Sequence, residues 1–396
     1  MERGARVRLT GHLPGLDGVR GLAILMVMAV HFVGDASPQT VLQRLVVKAA
    51  SYGVLGVDLF FVLSGFLITG LLVDAKDRPN YFRNFYARRT LRIFPLYYLV
   101  LALLFLVLPR IAEPTPLLEE ARRHQVFLWT YTANFYIAAK SAWALSYVTH
   151  FWSLAIEEHF YLLWPLVVFS FRRETLERIC AGVIAAGLGL RVYLTFHGVS
   201  ELSISVLTPC RVDTLCVGAL LALVARREGG AEALVRKAPR AAAVLAFAVF
   251  AVSAWCALTG LGLPLLHQVR GSLYALLFGA LALISVSPAP GPVGRFFQGS
   301  VLRFFGKYSY GLYVYHGMLT WWFIEFHVEE RLDALLPGHS LAIAVRALLG
   351  VAISLAVAVA SYEMFEKPFL RLKRFFEAAD PGPRPAAAAR TTSLSS

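Results

Sequence analysis

The chain has 396 residues, 58% of them hydrophobic and only 16% charged. Soluble domains carry about 25% charged residues, so a soluble globular protein is excluded. The formal net charge of +13 is divided into short clusters between long apolar runs, a pattern of membrane-flanking loops that argues against a nucleic-acid-binding module.

A membrane helix needs about 20 mostly apolar residues. The runs predict an all-α, polytopic membrane bundle of about ten transmembrane helices. They fall at roughly 17–34, 53–73, 90–109, 151–171, 177–196, 212–225, 241–259, 270–287, 308–326 and 341–363. The first run is followed by a long loop with no A-x-A-like cleavage site, so it reads as a membrane helix and not a signal peptide. The stretch 125–139 is aromatic but short and polar, and reads as interfacial or re-entrant. Glu366, Lys367 and Pro368 read as a helix stop. Residues 1–374 form one membrane domain. Residues 375–396 hold a Pro-, Ala- and Ser-rich stretch and read as a disordered cytoplasmic tail.

Lys and Arg set the orientation. With the N-terminus inside, the inside segments hold 26 of them and the outside segments 9. Both termini are therefore expected in the cytoplasm, with the protein multi-pass in the inner (plasma) membrane. The four cysteines show no CxxC spacing, so neither a disulfide framework nor a metal site is expected. No P-loop, HExxH or GxSxG is present.

Ionisable side chains at membrane depth are costly and each needs a reason. In the first helix, Arg20 and His31 are eleven residues apart, which puts them on one face with a rise of roughly 16 Å. Asp58 in the second helix and Glu157 and Glu158 in the fourth fall at the depth of His31. Tyr161 follows Glu157 at i+4, on the same face. A histidine among carboxylates is the material for a general base with an orienting partner. A structural His–carboxylate pair that holds helices together is the lesser alternative. At the foot of the third helix, Arg89 and Arg92 share a face and Arg88 pairs with Arg92 at i+4. Guanidinium forks match phosphate oxygens, although a plain cationic anchor has the same composition. His316 falls mid-membrane beside Tyr310, Tyr313 and Tyr315. Arg211 and Asp213 sit at the outer mouth of the sixth helix as contacts for a polar acceptor.

The segments LDGVRGLAILMVMAVHF, GVDLFFVLSGFLIT, RRTLRIFPLYYL, FWSLAIEEHFYLLWP, GKYSYGLYVYHG and YEMFEKPF, in this order over about residues 12–374, together resemble the acyltransferase-3 family of membrane O-acyltransferases. Such enzymes acetylate O-antigen, exopolysaccharide and peptidoglycan sugars, and some acylate macrolides. The family's Arg and His of the first helix match Arg20 and His31, its Arg-x-x-Arg matches Arg89 and Arg92, and its fourth-helix glutamate matches Glu157. His159 stands where the family commonly has Gln. Many relatives carry an extra helix and a C-terminal SGNH domain. This chain is expected to have neither, so no two-enzyme relay is expected.

The resemblance implies acyl-CoA, most simply acetyl-CoA, as donor and no metal. Arg20, Arg89, Arg92 and Arg88 would hold its phosphates. His31, oriented by Glu157 or Asp58, would deprotonate a hydroxyl of a carbohydrate or glycosylated small-molecule acceptor. Arg211, Asp213, Glu158, Tyr161 and His316 would contact the substrates. A proton-coupled transporter or exporter of a polar compound is the alternative, since it too uses buried Arg, His and carboxylates.

Overall fold

The computed structural model describes residues 11–259 and 264–377. These residues are helical throughout, with no strand among them. In chain order the helices are α1 (Pro14–Gly34), α2 (Val41–Ser51), α3 (Leu55–Ala75) and α4 (Tyr81–Ile111). Three short ones follow, α5 (Pro116–Arg123), α6 (Val126–Trp129) and α7 (Ala133–Lys140). Next come α8 (Phe151–Ser170), α9 (Arg173–Phe196), α10 (Glu201–Val206), α11 (Thr208–Ala225), α12 (Gly230–Thr259) and α13 (Pro264–Ser285). The chain continues through α14 (Pro292–Gln298), α15 (Ser300–Glu325), α16 (Val328–Leu335) and α17 (His339–Phe376).

Eight of the ten expected spans are long and apolar enough to cross a membrane. The other two, α8 and α15, are long enough but interrupt their apolar surface with Glu157, Glu158 and His159, or with Lys307, Tyr308 and Ser309. Tyr308 and Ser309 are buried and Glu157, Glu158 and His159 partly buried, which is how such groups are tolerated at membrane depth; Lys307 is exposed. By contrast α12 presents Val244, Phe247, Phe250 and Trp255 outward, an apolar surface suited to lipid.

Three expectations change. The segment after the first span is not simply a loop: it contains α2, started by a capping box in which Thr40 and Gln43 satisfy each other's backbone. Stretch 125–139 forms α6 and α7, broken at Tyr131 by a left-handed backbone. The last helix does not stop at Glu366–Pro368. It passes through a π turn at Tyr362–Glu366 and continues to Phe376, because Pro368 occupies a first-turn position of the next segment, where its missing N–H costs nothing. The described part of the expected tail is thus Phe375–Glu377, at the end of this helix; residues 378–396 lie outside the described residues.

The bundle centres on α1, which packs along α15 and α3. The approach to α15 needs bare backbone: a Cβ at Gly21 would overlap the Leu302 carbonyl, and one at Gly306 would overlap the Asp17 carbonyl. Small residues that let helix backbones touch are the usual device of membrane packing. α3 and α11 cross in the same way through Gly65 and Gly218. With α4 and α8, these helices enclose the polar interior.

Candidate functional site

The polar interior has two adjoining parts. At the arginine-rich end lies a cleft of about 670 Å³, walled by α3 and α4 and closed by the end of α17. Arg78, Arg88, Arg89, Arg226 and Lys373 line it. Asp74 also lines it, but Arg226 already grips that carboxylate with two nitrogens, at 2.6 and 2.5 Å. Lys373 has Arg92, Arg89, Arg88 and Arg20 as electrostatic neighbours. Cations outnumber carboxylates along the cleft, where Glu377 is the other acidic lining residue, and clustered like charges are unfavourable, so the cleft suits an anionic ligand.

Leu67 and Arg89 also line a narrower inner cavity of about 160 Å³. There Arg20, Arg89 and Arg92 surround a single lining carboxylate, Glu157. Arg20 donates to the Ser309 hydroxyl at 3.0 Å, with Asp17 at 3.8 Å. Arg89 lies over the Tyr161 ring at 4.3 Å, and Arg92 over Tyr310 at 5.7 Å. The Tyr161 hydroxyl donates to Ser64 at 3.1 Å, and Ser64 donates to Glu157 at 2.6 Å. The aromatic faces and hydroxyls hold the guanidinium groups in place without neutralising them.

At its far end the inner cavity reaches Val57, Ser153 and Tyr313. Beyond Tyr313 stands a group of three imidazoles. His316 lies 5.2 Å from His31 and 5.1 Å from His150, centre to centre, and 5.5 Å from the Tyr313 ring. His316 and His150 are buried; His31 is about one-third exposed, towards the end opposite the arginines. His31 sits in a π turn, Val30–Gly34, that closes α1. Such turns recur at functional sites. Its Nδ1 lies 3.4 Å from an Asp35 carboxylate oxygen.

The sequence-derived residues therefore sort into separate places. Arg20, Arg89, Arg92, Glu157 and Tyr161 meet in the inner cavity, whereas His31, expected on one face with Arg20, does not line it. Arg88 lines only the outer cleft, so it and Arg92 serve different cavities. Neither Glu157 nor Asp58 is the hydrogen-bond partner of His31: Glu157 is taken by Ser64, and Asp58 by Arg211 at 2.5 Å. Asp213 is not at an open mouth but buried, held by Arg191 at 2.5 Å. Glu158 does not line the inner cavity, and its Oε1 is buried with no hydrogen-bond partner among the described residues. His159 bonds Thr208 at 2.8 Å and stacks on Phe135, a contact between helices. His316, expected among tyrosines, stands beside His31.

Sequence reasoning missed Asp35, Ser64, His150, Arg78, Arg226 and Lys373. Asp35 carried a readable signal, its i+4 spacing from His31. The cleft cations carried none, since each reads as an ordinary loop charge.

Residues 13–363 match the family described as an acyltransferase domain. The O-acetyltransferase OatA of Staphylococcus aureus (strain NCTC 8325 / PS 47) is 26% identical over 380 residues, covering 92% of this chain and 58% of that protein. The peptidoglycan O-acetyltransferase OatA of Listeria monocytogenes is 27% identical over 327 residues, covering 77% of this chain and 49% of that protein. This chain thus spans only 58% and 49% of these two curated relatives. No solved structure matches it.

Proposed function

From the premise that this chain belongs to the acyltransferase domain family, over residues 13–363, we propose that it is an integral membrane O-acyltransferase. It moves an acyl group, most simply acetyl, from acyl-CoA to a hydroxyl of a cell-envelope sugar. The observation that carries this reading is a pair of adjoining cavities: a cation-lined cleft that shares Leu67 and Arg89 with a narrower one reaching Tyr313, whose ring lies 5.5 Å from His316. Acyl-CoA has the matching shape and charge, a bulky polyanionic nucleotide on a thin uncharged arm that ends in the thioester.

In this reading the arginine-rich end faces the cytoplasm, in line with the distribution of Lys and Arg. Arg78, Arg88, Arg89 and Lys373 hold the phosphates, as guanidinium and ammonium donors do. Arg20, Arg92, Ser64 and Glu157 line the path of the arm. The thioester comes to rest beyond Tyr313. The acceptor enters from the opposite end, where His31 is exposed. His31, with its Nδ1 hydrogen directed to Asp35, takes the acceptor proton at Nε2, and the oxygen attacks the thioester carbonyl. Binding both substrates in one line supplies rate through proximity. The two relatives named above are O-acetyltransferases, and one is named for peptidoglycan. That supports a cell-wall glycan as the acceptor class.

The test is CoA release by the detergent-purified protein from radiolabelled acetyl-CoA, offered with peptidoglycan fragments, other envelope sugars and macrolides. Release that needs one acceptor and is lost in His31→Ala supports the reading and names the acceptor. Folded protein that neither binds acetyl-CoA nor releases CoA overturns it. Uptake of a polar solute by proteoliposomes would then point to the transporter alternative.

A further inference from the structure

His316 has one nitrogen committed and one free. Its Nδ1 lies 3.0 Å from the Leu312 carbonyl. A carbonyl only accepts, so Nδ1 carries the ring hydrogen and Nε2 the lone pair. That Nε2 is buried and has no hydrogen-bond partner among the described residues.

The hydrogens of the neighbouring groups are already committed, although His150 Nδ1 is, like His316 Nε2, a buried ring nitrogen with no hydrogen-bond partner among the described residues. His150 directs its Nε2 hydrogen to the Val314 carbonyl at 3.1 Å, and its ring fills the space where a Cβ on Gly317 would stand. The Tyr313 hydroxyl donates to the His150 carbonyl at 2.7 Å and lies 2.6 Å from the Ser153 hydroxyl, which donates to it. His31 is the remaining ring close by, and a bound ligand is the other source of a hydrogen. From the inner cavity outward the order is Tyr313, His316, His31, exposed surface. His316 thus faces the side on which the proposed thioester arrives, and His31 the side of the acceptor.

We propose, on the acyl-CoA reading above, that His316 is a second catalytic residue, which protonates the departing CoA sulfur. The acceptor hydroxyl gives its proton to His31 Nε2 as its oxygen bonds the acyl carbon. The carbon–sulfur bond breaks, and its electron pair stays on sulfur. His31 passes the proton to His316 Nε2, and His316 delivers it to the thiolate. Both imidazoles return to the neutral form, and the products are the ester and free CoA thiol. The physical need is local: a bare thiolate at membrane depth is poorly solvated, and His31 is turned towards the opposite face.

The experiment compares acetyl-CoA with its selenium analogue, in which one atom changes and the leaving group departs readily without a proton. His316→Gln is expected to bind acetyl-CoA normally yet transfer from it roughly 10²- to 10⁴-fold more slowly, the usual worth of a positioned acid or base. With the selenoester the loss should shrink at least about tenfold, whereas His31→Ala should stay inactive with both donors. An equal loss with both donors, or a His316→Gln enzyme of near wild-type rate, overturns the proposal. If His316→Gln does not bind acetyl-CoA, the wild-type enzyme decides. Similar rates with the two donors support sulfur protonation, and a selenoester more than about tenfold faster overturns it. Wild-type protein inactive with acetyl-CoA would instead fault the acyl-CoA reading itself.

Discussion

His31 and Asp35 face each other across a single π-helical turn, Nδ1 to carboxylate oxygen at 3.4 Å. The wider turn offsets the end of α1 from a regular α-helical path and leaves His31 partly exposed while Phe32 stays in the core. A carboxylate at that nitrogen fixes the tautomer and the ring orientation.

Asp35→Asn should therefore lower acyl transfer about tenfold, part of the roughly 10²- to 10⁴-fold worth of a positioned base, because the group that orients the His31 ring is altered, with acetyl-CoA affinity unchanged. Steady-state CoA release measures it. An unaltered kcat would mean that the exposed carboxylate does not serve His31.

The cleft cations should act on the donor's nucleotide alone. Arg88→Ala or Lys373→Ala removes a charge-assisted contact of about 1.5–3 kcal/mol, so KM for acetyl-CoA should rise roughly 10- to 100-fold. Acetyl-pantetheine, which lacks the nucleotide, should be used as well by the variants as by the wild type. Equal loss with both donors would place these residues elsewhere in the cycle.

Asp213 and Arg191 form a buried pair completed by the Cys210 carbonyl and the Ser272 hydroxyl. Removing one partner strands the other charge. Asp213→Ala should thus destabilise the fold by about 3–5 kcal/mol, read as earlier thermal unfolding in detergent. Normal stability with selective loss of acceptor affinity would restore Asp213 as a substrate contact.

The crossing of α3 and α11 should tolerate no side chain at Gly65, where a Cβ would overlap the Leu215 carbonyl. Gly65→Val should cost at least about 1–3 kcal/mol and abolish a monodisperse peak in size-exclusion chromatography. Gly182→Val, on a helix face with nothing within 4 Å, should leave that peak intact.

Much of this protein is written locally. Apolar runs of membrane-crossing length determine the spans, because lipid requires each segment to satisfy its own backbone. Helix periodicity put Arg89 with Arg92, and Glu157 with Tyr161, on shared faces, and both pairs line the inner cavity, since those relations lie within single helices. The order of the six motif segments was enough to point to the family.

What the sequence could not determine was which faces of different helices meet. Asp58, Glu157 and His31 come at related depths, yet depth does not specify azimuth. Helix rotation is decided by backbone contacts such as Gly21 on Leu302 and Gly65 on Leu215, and the resulting packing pairs Asp58 with Arg211. Only tertiary packing brings His150 and His316 beside His31, and Arg78 and Lys373 into one cleft. These residues are far apart along the chain, and their meeting depends on how rigid helices seat against one another.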